Sequence, residues 1–441
     1  MDFNKVVGEI RTKGLNLKSE DHLEFLTLLT EKFTKDKSTY DEMYKYYKGE
    51  TKAMETYKML TARSDLKINV NYIKKFIKEE AAYTVGNKIT YEAVSGDTEV
   101  VGAIDYNTAH LDELHDSDLM KYMLIFSKVF EVYYTDPIEC NFSTKIIKPT
   151  EGFAFTDDIT GQVLLFLHFY TSEFDENVKY VDIYTKGWIL HCDEDFTEIS
   201  EPHSSIFDEV PVTIGTISYE GYYDSLYSDL KGLQDAFETN LSDAGNEISD
   251  FRNAYLVFKG CTIDSDKLNE MKEKGALLVG EEGEVAWLIK NINDTFIQNS
   301  LDRYVDTMYQ IACHINSNEQ MVSNLSGVAL RSRLIALENK CKLEEAAHRN
   351  MVKNRLRFLF KYLLITTKKE YDFRNVKILY TPLIPTDDLA TAQMLAQLPD
   401  ETISKDTARS LFSFVNNAEK EKEKVENEIT RELELENPEG F

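Results

Sequence analysis

Residues Leu226 to Phe251 read LYSDLKGLQDAFETNLSDAGNEISDF, and this stretch decides the fold. Apolar side chains fall at 226, 230, 233, 237, 241, 244, 248 and 251, in steps of three and four. That spacing predicts a narrow seam on an α-helix about 40 Å long. Gly232 and Gly245 each weaken such a helix by about 1 kcal/mol relative to alanine without ending it. Six acidic residues (Asp229, Asp235, Glu238, Asp243, Glu247, Asp250) stand against one basic residue, Lys231. The helix opens a section without proline between Pro211 and Pro382. Later in that section, Arg331 to Lys369 carries eleven basic residues against three acidic ones. In a chain of net charge −27, this layout predicts long helices organised around something anionic, with most of the surface kept from sticking to it.

Working outward, Ala254 to Phe258 reads as a strand and Leu268 to Lys274 as a short charged helix. Ala276-Leu-Leu-Val, a Gly-Glu-Glu-Gly turn and Val285-Ala-Trp-Leu-Ile then form a hairpin. A second helix spans Asp294 to Ile315, with Leu301, Tyr304 and Met308 on its apolar side. A small αβ insert therefore sits at the tip of an antiparallel helical stalk. Residues 316 to 326 are polar and aperiodic, a loop, and Arg331 to Lys369 is a third, very long helix. Val376 to Tyr380 is strand-like, two short helices start at Thr386 and Ser404, and Glu419 to Glu436 is an exposed tail.

Towards the N-terminus, Asp21 to Phe33, Lys37 to Lys48 and Tyr72 to Tyr83 have helical spacing, and residues 97 to 121 read as one acidic helix. From Val129 to Ile206 the runs are β-branched and aromatic, an antiparallel β module closed by Pro202 and Pro211. The fold class is α+β, mainly helical.

Length, 42% apolar residues and 12% aromatic residues predict two to four ordered modules. The acidity argues against a protein that coats nucleic acid, which needs clustered Lys and Arg, but not against one that lets it pass. Five separated cysteines, no apolar leader and no membrane-length segment predict a soluble intracellular protein with reduced thiols.

Enzyme signatures fail on inspection. Gly8 to Gly14 lacks the Lys-Ser/Thr of a phosphate loop, and neither GxSxG nor HExxH occurs. His110 and His115 do not share a helical face, His191 to Asp195 reads as an acidic turn, and Asp157-Asp158 lies in a turn without a metal partner. No catalytic, metal or cofactor site is expected. What remains is mechanical: carboxylates on a ring of such helices would repel duplex DNA from a channel wall. The alternatives are a DNA-processing enzyme with an atypical acidic metal site and a monomeric helical scaffold or adaptor.

Local sequences extend this order of elements. Tyr46-Tyr47-Lys48-Gly49, Asn69-Val-Asn-Tyr-Ile running on to Tyr83-Thr-Val-Gly86-Asn-Lys-Ile-Thr-Tyr91, and Lys148-Pro-Thr-Glu-Gly-Phe-Ala-Phe-Thr-Asp157-Asp158 lie in the first half. Ser228 to Phe237 and Ser326-Gly-Val-Ala-Leu-Arg331 lie in the second. In order and spacing they resemble the portal proteins of tailed double-stranded-DNA bacteriophages, in particular those of siphophages of Gram-positive hosts. The resemblance implies a portal-type architecture: wing 1–221, stem helix 222–252, clip 253–293, stem helix 294–315, tunnel loop 316–330, wing helix and strand 331–385, crown 386–441. It implies a ring, in the family a dodecamer, at one capsid vertex of the virion, assembled in the host cytoplasm without a membrane. Expected partners are terminase, major capsid and scaffolding proteins, a head-completion adaptor and passing double-stranded DNA. Position assigns Asn316, Asn318, Gln320, Ser323, Asn324 and Ser326 to face DNA, and Asp235, Glu238, Asp243 and Glu247 to line the channel. Lys272, Glu273 and Lys274 would meet the motor or adaptor, and the cations of the long helix would meet acidic neighbours across the ring.

Overall fold

The computed structural model describes residues 2–58, 65–174, 178–251, 255–259, 284–288, 294–316, 327–381, 388–399, 402–412, 414–415 and 417–436. Helices α1 (Phe3–Lys13) and α2 (Glu20–Lys48) open the chain. The two helical stretches predicted within α2 run together, because no breaker separates them. Gly49 ends α2 at φ 90°, its N–H returning to the Lys45 and Tyr46 carbonyls. A side chain there would also collide, since a Cβ would lie 2.7 Å from Asn69 Oδ1. After α3 (Lys52–Thr56) come α4 (Tyr72–Val85) and strand β1 (Thr90–Ala93).

Residues 97 to 121 form two helices, α5 (Thr98–Thr108) and α6 (His115–Phe126), instead of the single one expected. Asp112 divides them: its Oδ1 accepts from the Leu114 N–H at 2.8 Å and its carbonyl from the His115 N–H at 3.0 Å. This side-chain turn competes with a continuous helix.

The β module is two antiparallel sheets. One has the order β3 (Phe142–Ile147), β2 (Lys128–Thr135), β9 (Val212–Thr216). The other runs β4 (Gly152–Thr156), β5 (Val163–Thr171), β6 (Lys179–Thr185), β7 (Trp188–Asp193), β8 (His203–Ser204). Pro211 does not close the module, because β9 follows it and pairs with β2 from Lys128↔Thr216 to Val132↔Val212. Lacking an N–H, the proline sits just before the strand, where its carbonyl still accepts from the Tyr133 N–H at 2.8 Å. Leu165, Leu167, Val181 and Ile183 pack with Phe25, Leu26 and Phe33 of α2. Phe166, on the opposite side of β5, packs with Phe130, Val132 and Val212 of the smaller sheet.

Then follow α7 (Leu226–Phe251), the antiparallel pair β10 (Tyr255–Lys259) and β11 (Glu284–Leu288), and α8 (Asp294–Ala312). Helix α9 (Gly327–Thr367) has 41 residues. Its Leu356, Phe358 and Leu359 are wholly buried against a cluster that includes Ile89, Tyr133 and Phe142. Strand β12 (Val376–Leu379) returns to pair with β1, and α10 (Asp388–Gln397), α11 (Lys405–Ser410) and α12 (Ala418–Glu436) finish the chain. Among the described residues, no helix is long and apolar enough to cross a membrane.

Candidate functional site: the faces of the long helices

Helix α7 buries two faces, and only one is apolar. Leu226, Leu230 and Phe237 enter a core shared with Tyr46, Phe76, Phe126 and Met308, and Leu233 and Leu241 pack against it. Near its C-terminal end the seam emerges, with Ile248 68% exposed. The second face is polar: Gln234, Glu238, Ser242 and Asn246, one helical turn apart, are all buried. An extended segment before α4 lies along them. The Leu66 N–H donates to Asn246 Oδ1 (2.8 Å), the Ile68 N–H to Ser242 Oγ (2.9 Å), and the Val70 N–H to Glu238 Oε1 (3.2 Å). Asn246 Nδ2 and Gln234 Nε2 donate back to the Leu66 and Val70 carbonyls at 2.9 and 2.7 Å. The row of side chains thus serves the backbone as a neighbouring strand would.

This arrangement removes Glu238 from the expected channel wall. Glu238 is 0% exposed and accepts from Thr51 Oγ1, Asn69 Nδ2, Gln234 Nε2 and the Val70 N–H, so it faces the chain's own N-terminal segment. Burial pushes its carboxyl above the usual range, against the pull of the Thr51 and Gln234 hydrogen bonds. Asp235 accepts the Tyr46 hydroxyl at 2.9 Å, and Asp243 accepts that of Tyr57 at 2.7 Å. Asp243 is nevertheless exposed, while Asp235 and Glu247 are half-buried.

A second buried polar cluster joins α4 to the segments flanking 317–326. His314 Nδ1 meets Glu79 Oε2 at 2.7 Å, and its Nε2 meets Glu80 Oε1 at 2.9 Å. A ring with both nitrogens on carboxylates is an imidazolium. From α9, Lys340 Nζ reaches the same Glu80 oxygen at 2.6 Å, and Glu344 lies buried one turn on. Asn316, half-buried, follows directly. Asn318, Gln320, Ser323, Asn324 and Ser326, and likewise Lys272, Glu273 and Lys274, lie outside the described residues.

Several cations of α9 and the residues just after it have partners inside this chain. Arg355, 2% exposed, pairs with Asp116 at 2.8 Å and Glu131 at 2.7 Å. Arg357 and Lys361 share Glu209, Lys361 also takes Asp208 at 3.0 Å, and Lys369 pairs with Glu99 at 2.6 Å. Packing of β9 and the segment before it against α9 brings Asp208 and Glu209 into reach, while Asp116, Glu131 and Glu99 come from α6, β2 and α5.

The residues set aside as catalytic have structural roles. His115 Nε2 meets Glu131 at 2.8 Å, and His110 meets Ser143 at 3.3 Å. His191 Nδ1 pairs with Asp182 at 2.7 Å. Asp157 pairs with Arg11 and accepts the Ile159 and Thr160 N–H groups of its own turn. Among the described residues, no cluster of three or more His, Cys, Asp or Glu could hold a metal ion.

No curated protein matches the chain. Among solved structures it is similar to a chain in the virion of a native gene transfer agent particle, at 9% identity over 77% of this chain and 87% of that one, with a TM-score of 0.45. It is also similar to a chain in the neck of an empty particle of that agent, at 9% identity over 77% and 88%, with a TM-score of 0.47. A family model described as phage portal protein, SPP1 Gp6-like, matches residues 26–434, from α2 through the long helices into α12. The chain belongs to the SPP1 Gp6-like family of phage portal proteins.

Proposed function

We propose that this channel-forming portal protein works as a ring, a dodecamer by analogy with its family, at one vertex of a capsid. There it passes double-stranded DNA inward during packaging and outward on ejection. The observation that carries the reading is the family match, which runs unbroken through α7, α8 and α9. In this reading α7 and α8 are the stem, 253–293 the clip, 316–330 the tunnel loop, 1–221 and 331–385 the wing, and 386–441 the crown. The clip, through Lys272, Glu273 and Lys274, docks terminase and later the head-completion adaptor. Capsid and scaffolding proteins surround the wing. Asn316, Asn318, Gln320, Ser323, Asn324 and Ser326 offer neutral hydrogen-bonding groups that touch phosphates without holding them. The wall carboxylates narrow to Asp235, Asp243 and Glu247, because Glu238 is buried.

Light scattering with negative-stain imaging tests the ring; a particle of monomer mass under every salt condition sinks it. Deleting Gln320 to Asn324 tests the loop. Rings are expected to form while packaging or retention of DNA fails, and loss of the ring itself would contradict the assignment.

A further inference from the structure

Between the segment 216–229 and α9 lies a cavity of about 440 Å³, large enough for one or two long side chains. Its floor is unusual. Glu80 and Glu344 are 0% and 3% exposed, both line the cavity, and each has one carboxylate oxygen (Oε2) with no hydrogen-bond partner among the described residues. Lys340 and His314 both spend their charge on the other oxygen of Glu80. Two buried acceptors left open at one place cost free energy in the isolated subunit and favour a donor from outside. At the rim Tyr219 is fully exposed and Leu343 is 72% exposed, beside the exposed carboxylates of Asp224 and Asp229. Acceptors below and exposed apolar groups above call for an occupant with a cationic tip and an apolar stem, which is a lysine or arginine side chain.

We propose that this cavity is a docking surface for a second copy of the chain, which inserts a lysine or arginine towards Glu344 and Glu80 and covers Tyr219 and Leu343. The proposal rests on the ring reading, and a charge argument selects the occupant. Copies of net charge −27 repel each other, so contact between them requires places where an acid of one meets a cation of the next. A closing ring uses two different surfaces of each subunit, so the socket and the inserted residue need not be near each other on one chain. Burial and the charge of Glu80 push the Glu344 carboxyl well above the usual carboxylate range.

The test uses the full chain with Leu343→Ser and Tyr219→Ser combined, with Glu344→Gln separately, and with Ile138→Ser as a control. Ile138 is 89% exposed in the turn between β2 and β3, away from the cavity lining. Light scattering at fixed concentration reads assembly, and thermal melting of the dilute subunit reads folding. The double variant is expected to need about tenfold more protein to assemble, its subunit melting unchanged, because both side chains are exposed. Glu344→Gln, a neutral isostere, is expected to keep its fold and to weaken assembly, since an amide cannot take the charge. Rings that form equally well in both variants and the control overturn this inference alone. An unsubstituted chain that never assembles overturns the ring reading and the inference together.

Discussion

His314 shows what single residues contribute here. Its imidazole is held above the ordinary 6.5: burial pushes it down, but hydrogen bonds to Glu79 and Glu80 outweigh that. Stability from a raised base is complete below 6.5 and is lost as pH rises through the raised native value. Glu79 and Glu80 behave oppositely. Burial raises them, yet the hydrogen bond from His314 and the charges of Lys75 and Lys340 hold them below 4.5. Their contribution is present above 4.5 and is lost as pH falls through the lowered values. The cluster is thus complete between pH 4.5 and 6.5. His314→Ala is expected to lower the melting temperature most in that window, with the difference shrinking at higher pH; a gap independent of pH would contradict the imidazolium. Nothing near residue 314 in sequence announces this role, because its partners stand 235 and 234 residues earlier. Glu238 was misplaced for the same reason. Its donors Thr51, Asn69 and Val70 are more than one hundred and sixty residues away, out of reach of any periodicity.

At the scale of elements, helical spacing identified α7 and its apolar seam, and the β-branched runs identified the sheets. The four-residue step of Gln234, Glu238, Ser242 and Asn246 was equally visible, but polar spacing is ordinarily read as a solvated face. Only the docking of the 66–70 segment turns it inward. Asn246→Ala would remove both hydrogen bonds to the Leu66 backbone, a cost of about 1 kcal/mol. Hydrogen exchange should quicken at the Leu66 and Ile68 amides and leave those of β5 unchanged. Asn240→Ala, on the exposed side, is the control and should be neutral. The two glycines of α7 divide on the same ground. A Cβ at Gly232 meets nothing within 4 Å, so Gly232→Ala should stabilise the chain by about 1 kcal/mol in urea denaturation. At Gly245 a Cβ would lie 2.8 Å from Ile68 Cδ1, where the helix carries the docked segment, so the same change should gain less. Strand β9 escaped sequence reading because Pro211 looked like a boundary, although a proline just before a strand leaves the ladder intact.

For the whole molecule, charge decides how copies meet. The excess of cations from Arg331 to Lys369 is prominent in sequence, yet Lys340, Arg355, Arg357, Lys361 and Lys369 neutralise acids of their own subunit. What a neighbouring copy or a passing duplex meets there is accordingly less cationic than a linear charge map implies. Repulsion between such surfaces reaches about 30 Å at 0.01 M salt and about 8 Å at 0.15 M. Assembly is therefore expected to strengthen as salt rises across that range, while the buried contact proposed at Glu344 is screened much less. Free duplex DNA should show no retention by the assembled protein at about 0.15 M salt, since a chain of net charge −27 repels the phosphate backbone. Light scattering across a salt series, paired with DNA retention at each step, reads both. Assembly that instead dissolves as salt rises would mean that exposed charge pairs dominate the contact between copies. Cations such as Arg357 and Lys361 would then be bridging subunits instead of pairing with Glu209 and Asp208 of their own chain.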